Sequence, residues 1–133
     1  MNMKRLLFVA LLMVCSASWA EWEMTGETDE LTHYHDRSTI QINGVTSQMW
    51  VMYDFREVQT DPDGDKYKSV KSLLAFNCKY ETLAMVSVPQ YSGSLGTGDV
   101  VLSDTFKEDE WIWDRIVPNT LVKIEWEIAC GKK

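Results

Sequence analysis

Histidine, proline and cysteine are scarce in this chain, at two, three and three of 133 residues, and basic clusters and long apolar runs are missing. Each shortage excludes something. Two histidines do not furnish a metal centre without help from distant carboxylates. Three prolines and seven glycines rule out a collagen-like or linker-rich chain. The apolar run Leu6 to Val14 is too short to span a bilayer, and no other stretch approaches the roughly 20 apolar residues of a membrane-spanning helix, so no transmembrane segment is expected. There is no Gly-x-Ser-x-Gly elbow, and Gly93, Gly96 and Gly98 have neither the dinucleotide nor the phosphate-loop spacing. No cofactor is expected, nor a nucleophilic hydrolase, and the chain reads as a non-enzyme.

The first twenty residues have the layout of a secretory signal. Lys4 and Arg5 are the positive start, Leu6 to Val14 the apolar centre, and Ser18-Trp-Ala20 the small-residue site, which places cleavage between Ala20 and Glu21. Cys15 raises lipidation as the alternative. Val14, preceded by Met13 and Leu12, is too large for the position just before a lipoprotein cysteine, so a periplasmic or secreted protein is favoured over an outer-membrane lipoprotein. The remaining residues, 21–133, are read as one domain, since no linker or repeat divides them.

Without Lys4 and Arg5, eleven basic side chains face twenty acidic ones, a formal charge of −9. Such a field repels nucleic acid and anionic lipid and accelerates encounters with cationic proteins. Export also settles the redox setting, and Cys78 and Cys130 are left to pair there. A disulfide between them closes a loop of about 50 residues and contributes on the order of 4 kcal/mol on the chain-entropy model. Two buried free thiols are the alternative.

Period-two alternation dominates the rest of the chain. Ser38 to Ile42, Asn43-Gly44, then Val45 onward through Trp50–Phe55 reads as a hairpin. Asp61-Pro-Asp-Gly-Asp65 is a turn; Tyr67 to Cys78 is a long strand with Leu74, Phe76 and Cys78 facing the core; Thr82 to Val88 and Val100 to Ser103 are further strands. Near the end, Val122, Ile124, Trp126, Ile128 and Cys130 alternate strictly, a strand pattern. Pro118-Asn-Thr120, however, resembles the start of a helix capped by Thr120.

Possible sites each have a plainer explanation. Asp61, Asp63 and Asp65 resemble a calcium loop, yet Lys66 and Ser72 stand where its Gly and Glu belong, so a solvated turn is expected. His33 and His35 share a strand face with Asp36 opposite, and read as a surface or half-buried pair rather than ligands. Trp111 and Trp113 share a face if Trp111 to Val117 is a strand; core packing is expected, with a sugar- or protein-binding platform as the alternative.

A run of landmarks remains: Trp22, Tyr34-His-Asp-Arg-Ser-Thr-Ile40, Trp50-Val-Met-Tyr-Asp-Phe55, Ser69-Val-Lys71, Phe76-Asn-Cys78, Tyr91-Ser92, Gly96-Thr-Gly98, Trp111, Val117-Pro-Asn-Thr120 and Cys130. Their order resembles that of the surface-adhesin protein E family of exported Gram-negative proteins. It implies an α+β, mainly β fold: an antiparallel sheet of about six strands, with a short C-terminal helix tied to it by the Cys78–Cys130 disulfide. That implication, with Thr120 as cap, tips the last segment from edge strand to helix. It also implies an adhesin-type module that contacts host proteins such as laminin and vitronectin and can form a homodimer, although it carries over no binding residue. A protein partner, unidentified, is therefore expected. The acidic charge supports an alternative: an inhibitor that presents the loop Ser92 to Gly98, or the turn Asp61 to Asp65, to a cationic enzyme.

Overall fold

The computed structural model describes residues 20–132. Nearly all of the expected signal, with Lys4, Arg5 and Cys15, lies outside the described residues. Seven antiparallel strands form one sheet: β1 (Glu23–Glu27), β2 (Leu31–Asn43), β3 (Thr46–Thr60), β4 (Lys66–Asn77), β5 (Thr82–Tyr91), β6 (Val100–Thr105) and β7 (Asp114–Arg115). β1 to β6 lie side by side in chain order, and the two-residue β7 pairs with β5 beside β6. The helix α1 (Leu121–Ala129) follows.

Turn chemistry explains the meander. Asn43 pairs with Thr46, which makes Gly44-Val45 the turn, one residue later than expected. Gly44, at φ +63°, takes the first turn position, where a Cβ would be strained, and Asn43 stays in the ladder. In the next turn the Asp61 carboxylate accepts the amides of Asp63 at 3.0 Å and Asp65 at 2.9 Å, so this acid caps backbone.

The core lies between one sheet face and α1. Met49 and Val51 of β3, Leu74 and Phe76 of β4, Ile116, and Trp126 and Ala129 of α1 form it. The alternation expected along β4 thus holds, with Leu74 and Phe76 inward. The opposite face is not fully solvated as a half-buried strand would be, because Ser69 and Ala75 are also buried. At Ser69 the covering is the glycine-rich loop: Ser69 Oγ donates to Gly93 O at 2.6 Å and accepts from Gly96 N at 2.8 Å.

The final segment is a helix, and the strand its alternation favoured is overturned. Thr120 Oγ1 caps it by accepting the Lys123 amide at 3.3 Å. Val122, Glu125, Trp126 and Ala129 follow the i, i+3, i+4, i+7 spacing of one helical face, while Ile124, which the strand pattern placed with Trp126, is 40% exposed. Three tethers fix its end: the Cys78–Cys130 disulfide with Cα atoms 5.5 Å apart, Ser47 Oγ donating to Ala129 O at 2.6 Å, and Trp126 Nε1 donating to Asn77 O at 2.9 Å.

Candidate functional site

Under α1 the helical register carries a carboxylate into the core. Glu125 is fully buried, and its Oε1 lies 2.9 Å from His33 Nδ1 of β2. Tyr53 of β3, paired with His33 in register, brings its hydroxyl 3.5 Å from Glu125 Oε2 and its ring edge-on to the imidazole. Burial pushes the Glu125 carboxyl above its usual range, opposed by the hydrogen bonds from His33 and Tyr53. Burial, and then the Glu125 charge, push the Tyr53 hydroxyl well above its own. A carboxylate with no exposure cannot reach a substrate, so the cluster ties α1 to β2 and β3. His33 alone reaches outward, to an open hollow of about 790 Å³ shared with Thr28, Pro118 and Glu127.

His35 is the buried one of the histidine pair, at 3% exposure. Its Nδ1 is 2.6 Å from Thr25 Oγ1, and the Glu23 carboxylate is 3.4 Å from Nε2. The order hydroxyl, imidazole, carboxylate resembles a nucleophilic triad, but Glu23 lies beyond good hydrogen-bond length and also meets Arg37 Nε at 3.2 Å. Burial first, then the Arg37 charge, lowers the His35 pKa, against the pull of Glu23. The arrangement fastens β1 to β2. Asp36 faces the other way, as expected, and is buried too.

Solvent-exposed apolar chemistry collects elsewhere, on the outer side of β5. β6 is in register with Ser87 to Tyr91 and β7 with Thr82 and Leu83, and neither is in register with Ala84 or Met85. The segment between β6 and β7 loops out over that gap, framing a hollow of about 220 Å³ lined by Leu83, Met85, Phe106, Glu110, Ile112 and Asp114. Trp111 and Trp113 belong to this segment and meet edge-to-face with centroids 6.0 Å apart. Core packing was expected of them, and the structure corrects it: Trp113 is exposed, and Trp111 is partly so and lines a shallow hollow with Gln41 and Gln48. The bend at residues 108–110 leaves only Asp114–Arg115 as strand, so the segment runs over the surface.

Of the residues singled out in the sequence, Cys78 and Cys130 come together, while Asp61, Asp63 and Asp65 form a turn. Among the described residues, no cluster of three or more His, Cys, Asp or Glu has metal-holding geometry. Glu125, Tyr53 and the Met85–Phe106–Ile112 opening were not anticipated. A charged residue hid the helical face of Glu125, and the opening depends on which strand borders β5.

These features define a small mainly β domain: a disulfide-tied meander sheet roofed by one C-terminal helix, with an apolar opening at one side. The chain belongs to the Surface-adhesin protein E family, whose profile matches residues 22–131, and is accordingly a surface-adhesin-like protein of an exported or surface-associated class. Haemophilus influenzae protein E has a similar structure, with a TM-score of 0.56 and 17% identity over 80% of this chain and 88% of that one. A crystal structure of protein E from a non-typeable strain gives a TM-score of 0.58 and 16% identity, covering 87% of this chain and 79% of the other. At that identity the likeness is one of fold. No curated sequence matches the chain.

Proposed function

We propose that the chain is an exported, non-enzymatic binding module, one domain over residues 21–133, freed by cleavage after Ala20 into the periplasm or medium. It contacts a protein partner through the opening beside β5. The observation that carries this reading is the exposure of Met85 at 51% and Ile112 at 75% around a hollow edged by Glu110 and Asp114. Apolar side chains grouped in solvent and rimmed by charge are the usual form of a protein contact. The partner that fits presents an apolar side chain flanked by Lys or Arg. Pull-down of the purified protein against matrix proteins and envelope extract tests it, with Met85→Ser as control. Retention that Met85→Ser abolishes supports the proposal, and no retention by a correctly folded protein overturns it.

A second reading, inhibition of a cationic enzyme, has its own observation: Asp29, Glu30 and Glu57 surround a hollow of about 390 Å³ with Arg56. Binding there weakens steeply with salt and is indifferent to Met85.

A further inference from the structure

The residue at which the expected mature chain begins sits in a built socket. The backbone nitrogen of Glu21 is 3.1 Å from Oδ2 of Asp36. Asp36 is 2% exposed, and its other oxygen, Oδ1, accepts from Ser38 N at 3.0 Å and from Ser38 Oγ. The socket forms where the β2–β3 ladder is interrupted after Asp36. There Thr39 Oγ1 donates to Asp36 O at 2.6 Å and accepts from Trp50 N at 3.0 Å, which holds the bulge in shape. Glu21 is held from the other side as well. Trp22 lies against the Lys71 ammonium, 5.9 Å from the ring centre, and the same ammonium is 5.0 Å from the Tyr91 ring. Glu23 is already in register with His35.

In the uncleaved chain, the Glu21 nitrogen is an amide with one neutral N–H to offer a buried carboxylate. Hydrolysis of the Ala20–Glu21 bond changes its chemistry. Water adds across the peptide bond, Ala20 leaves with the new carboxylate, and the nitrogen stays on Glu21 and takes up a proton to become an ammonium. We infer that removal of the signal peptide creates a half-buried ion pair between the α-ammonium of Glu21, at the surface, and the buried carboxylate of Asp36, so that maturation itself completes the fold at the β1 edge. Charge-assisted hydrogen bonds are about twice as strong as neutral ones, and a buried carboxylate left without a compensating charge is costly. The other titratable groups lining the hollow are Lys71 from β4 and Tyr91 from β5, with Trp50 and Thr39 as its uncharged walls. The inference rests on the cleavage position proposed above.

Two forms of the protein test it: one released from a fusion so that Glu21 is first, and one that retains Ala20 and so moves the ammonium about 3.8 Å along the chain. The form beginning at Glu21 is expected to melt roughly 5 °C or more above the other at neutral pH. Its α-amine, followed by NMR, is expected to titrate above the ordinary range of about 7.7–8.0. Asp36→Asn should lower the melting temperature more in the Glu21 form than in the extended one. Equal melting temperatures together with an ordinary amine titration overturn the ion pair, and this comparison stands even where Asp36→Asn does not fold. The intact mass of the exported protein tests cleavage separately. A chain beginning at Glu21 supports the maturation role, and one beginning elsewhere overturns it even where the pair forms in vitro.

Discussion

Under α1, Met49, Val51 and Phe76 are shut away from solvent, whereas along the outer side of β5 Met85 and Ile112 stand 51% and 75% exposed. The two regions draw on the same apolar alphabet and border the same sheet. Closure separates them. Over the core, one helical face, a disulfide and the bonds Ser47–Ala129 and Trp126–Asn77 bring a lid down onto β3 and β4. Beside β5, the covering segment is held by the pairings of Thr82 and Leu83 with β7 and by Phe106 N donating to Val86 O at 2.8 Å. The first region is built for stability. The second leaves its apolar residues open to a partner.

Removing the disulfide breaks the closed region most. Replacing both Cys78 and Cys130 by Ala frees the end of α1 and is expected to cost about 4 kcal/mol in urea unfolding, with loss of core protection in hydrogen exchange. The same change should leave partner binding at the β5 opening intact once the protein is folded. A binding loss as large as the stability loss would show that the two regions are coupled.

Glu125→Ala comes next, at about 3 kcal/mol, because it opens a cavity and strands the polar atoms of His33 and Tyr53. Glu125→Gln should cost far less, and its pH dependence is more informative. The folded protein holds the carboxyl above its ordinary value of 4.5, chiefly through burial. The folded state therefore keeps a proton that the unfolded chain has lost, and stability is fully present below that value and declines as pH rises through the folded pKa. Glu125→Gln should flatten this decline in melting temperatures taken from pH 4 upward. His35 works in the opposite sense: its lowered pKa gives stability above its ordinary 6.5 that is lost as pH falls through the folded value. Thr120→Ala, which removes the α1 cap, should cost about 1 kcal/mol.

The same contrast explains what the sequence could and could not disclose. Strands β2 to β6 were legible because alternation and turn residues such as Gly44 and Pro62 act locally, and Cys78 with Cys130 followed from export chemistry. α1 was not legible from its own pattern. Val122, Ile124, Trp126, Ile128 and Cys130 imitate a strand, and the true face contains Glu125, which any hydrophobicity count places outside. Only a tertiary partner, His33, 92 positions away in the chain, makes that glutamate an inward residue. β1 was missed because Glu23–Glu27 carries two acids and a glycine, and its stability comes from β2 rather than from its own residues. Trp111 and Trp113 misled for the reverse reason, since size argues for burial but the bend at 108–110 holds their segment at the surface.

The smallest expected effect on stability comes at Ile112. At 75% exposure its side chain has little burial to lose, so Ile112→Ser should shift unfolding by no more than about 0.5 kcal/mol. Its effect on binding should be out of proportion to that. Ile112, Met85 and Phe106 line one hollow, and contact energy concentrates in the few apolar side chains at the centre of an interface. Titration of the captured partner is expected to show at least tenfold weaker binding for Ile112→Ser at unchanged melting temperature, whereas Ile42→Ser should change neither: Ile42 is similarly exposed, at 73%, but does not line that hollow. Equal behaviour of the two variants would mean that the apolar residues beside β5 are ordinary surface.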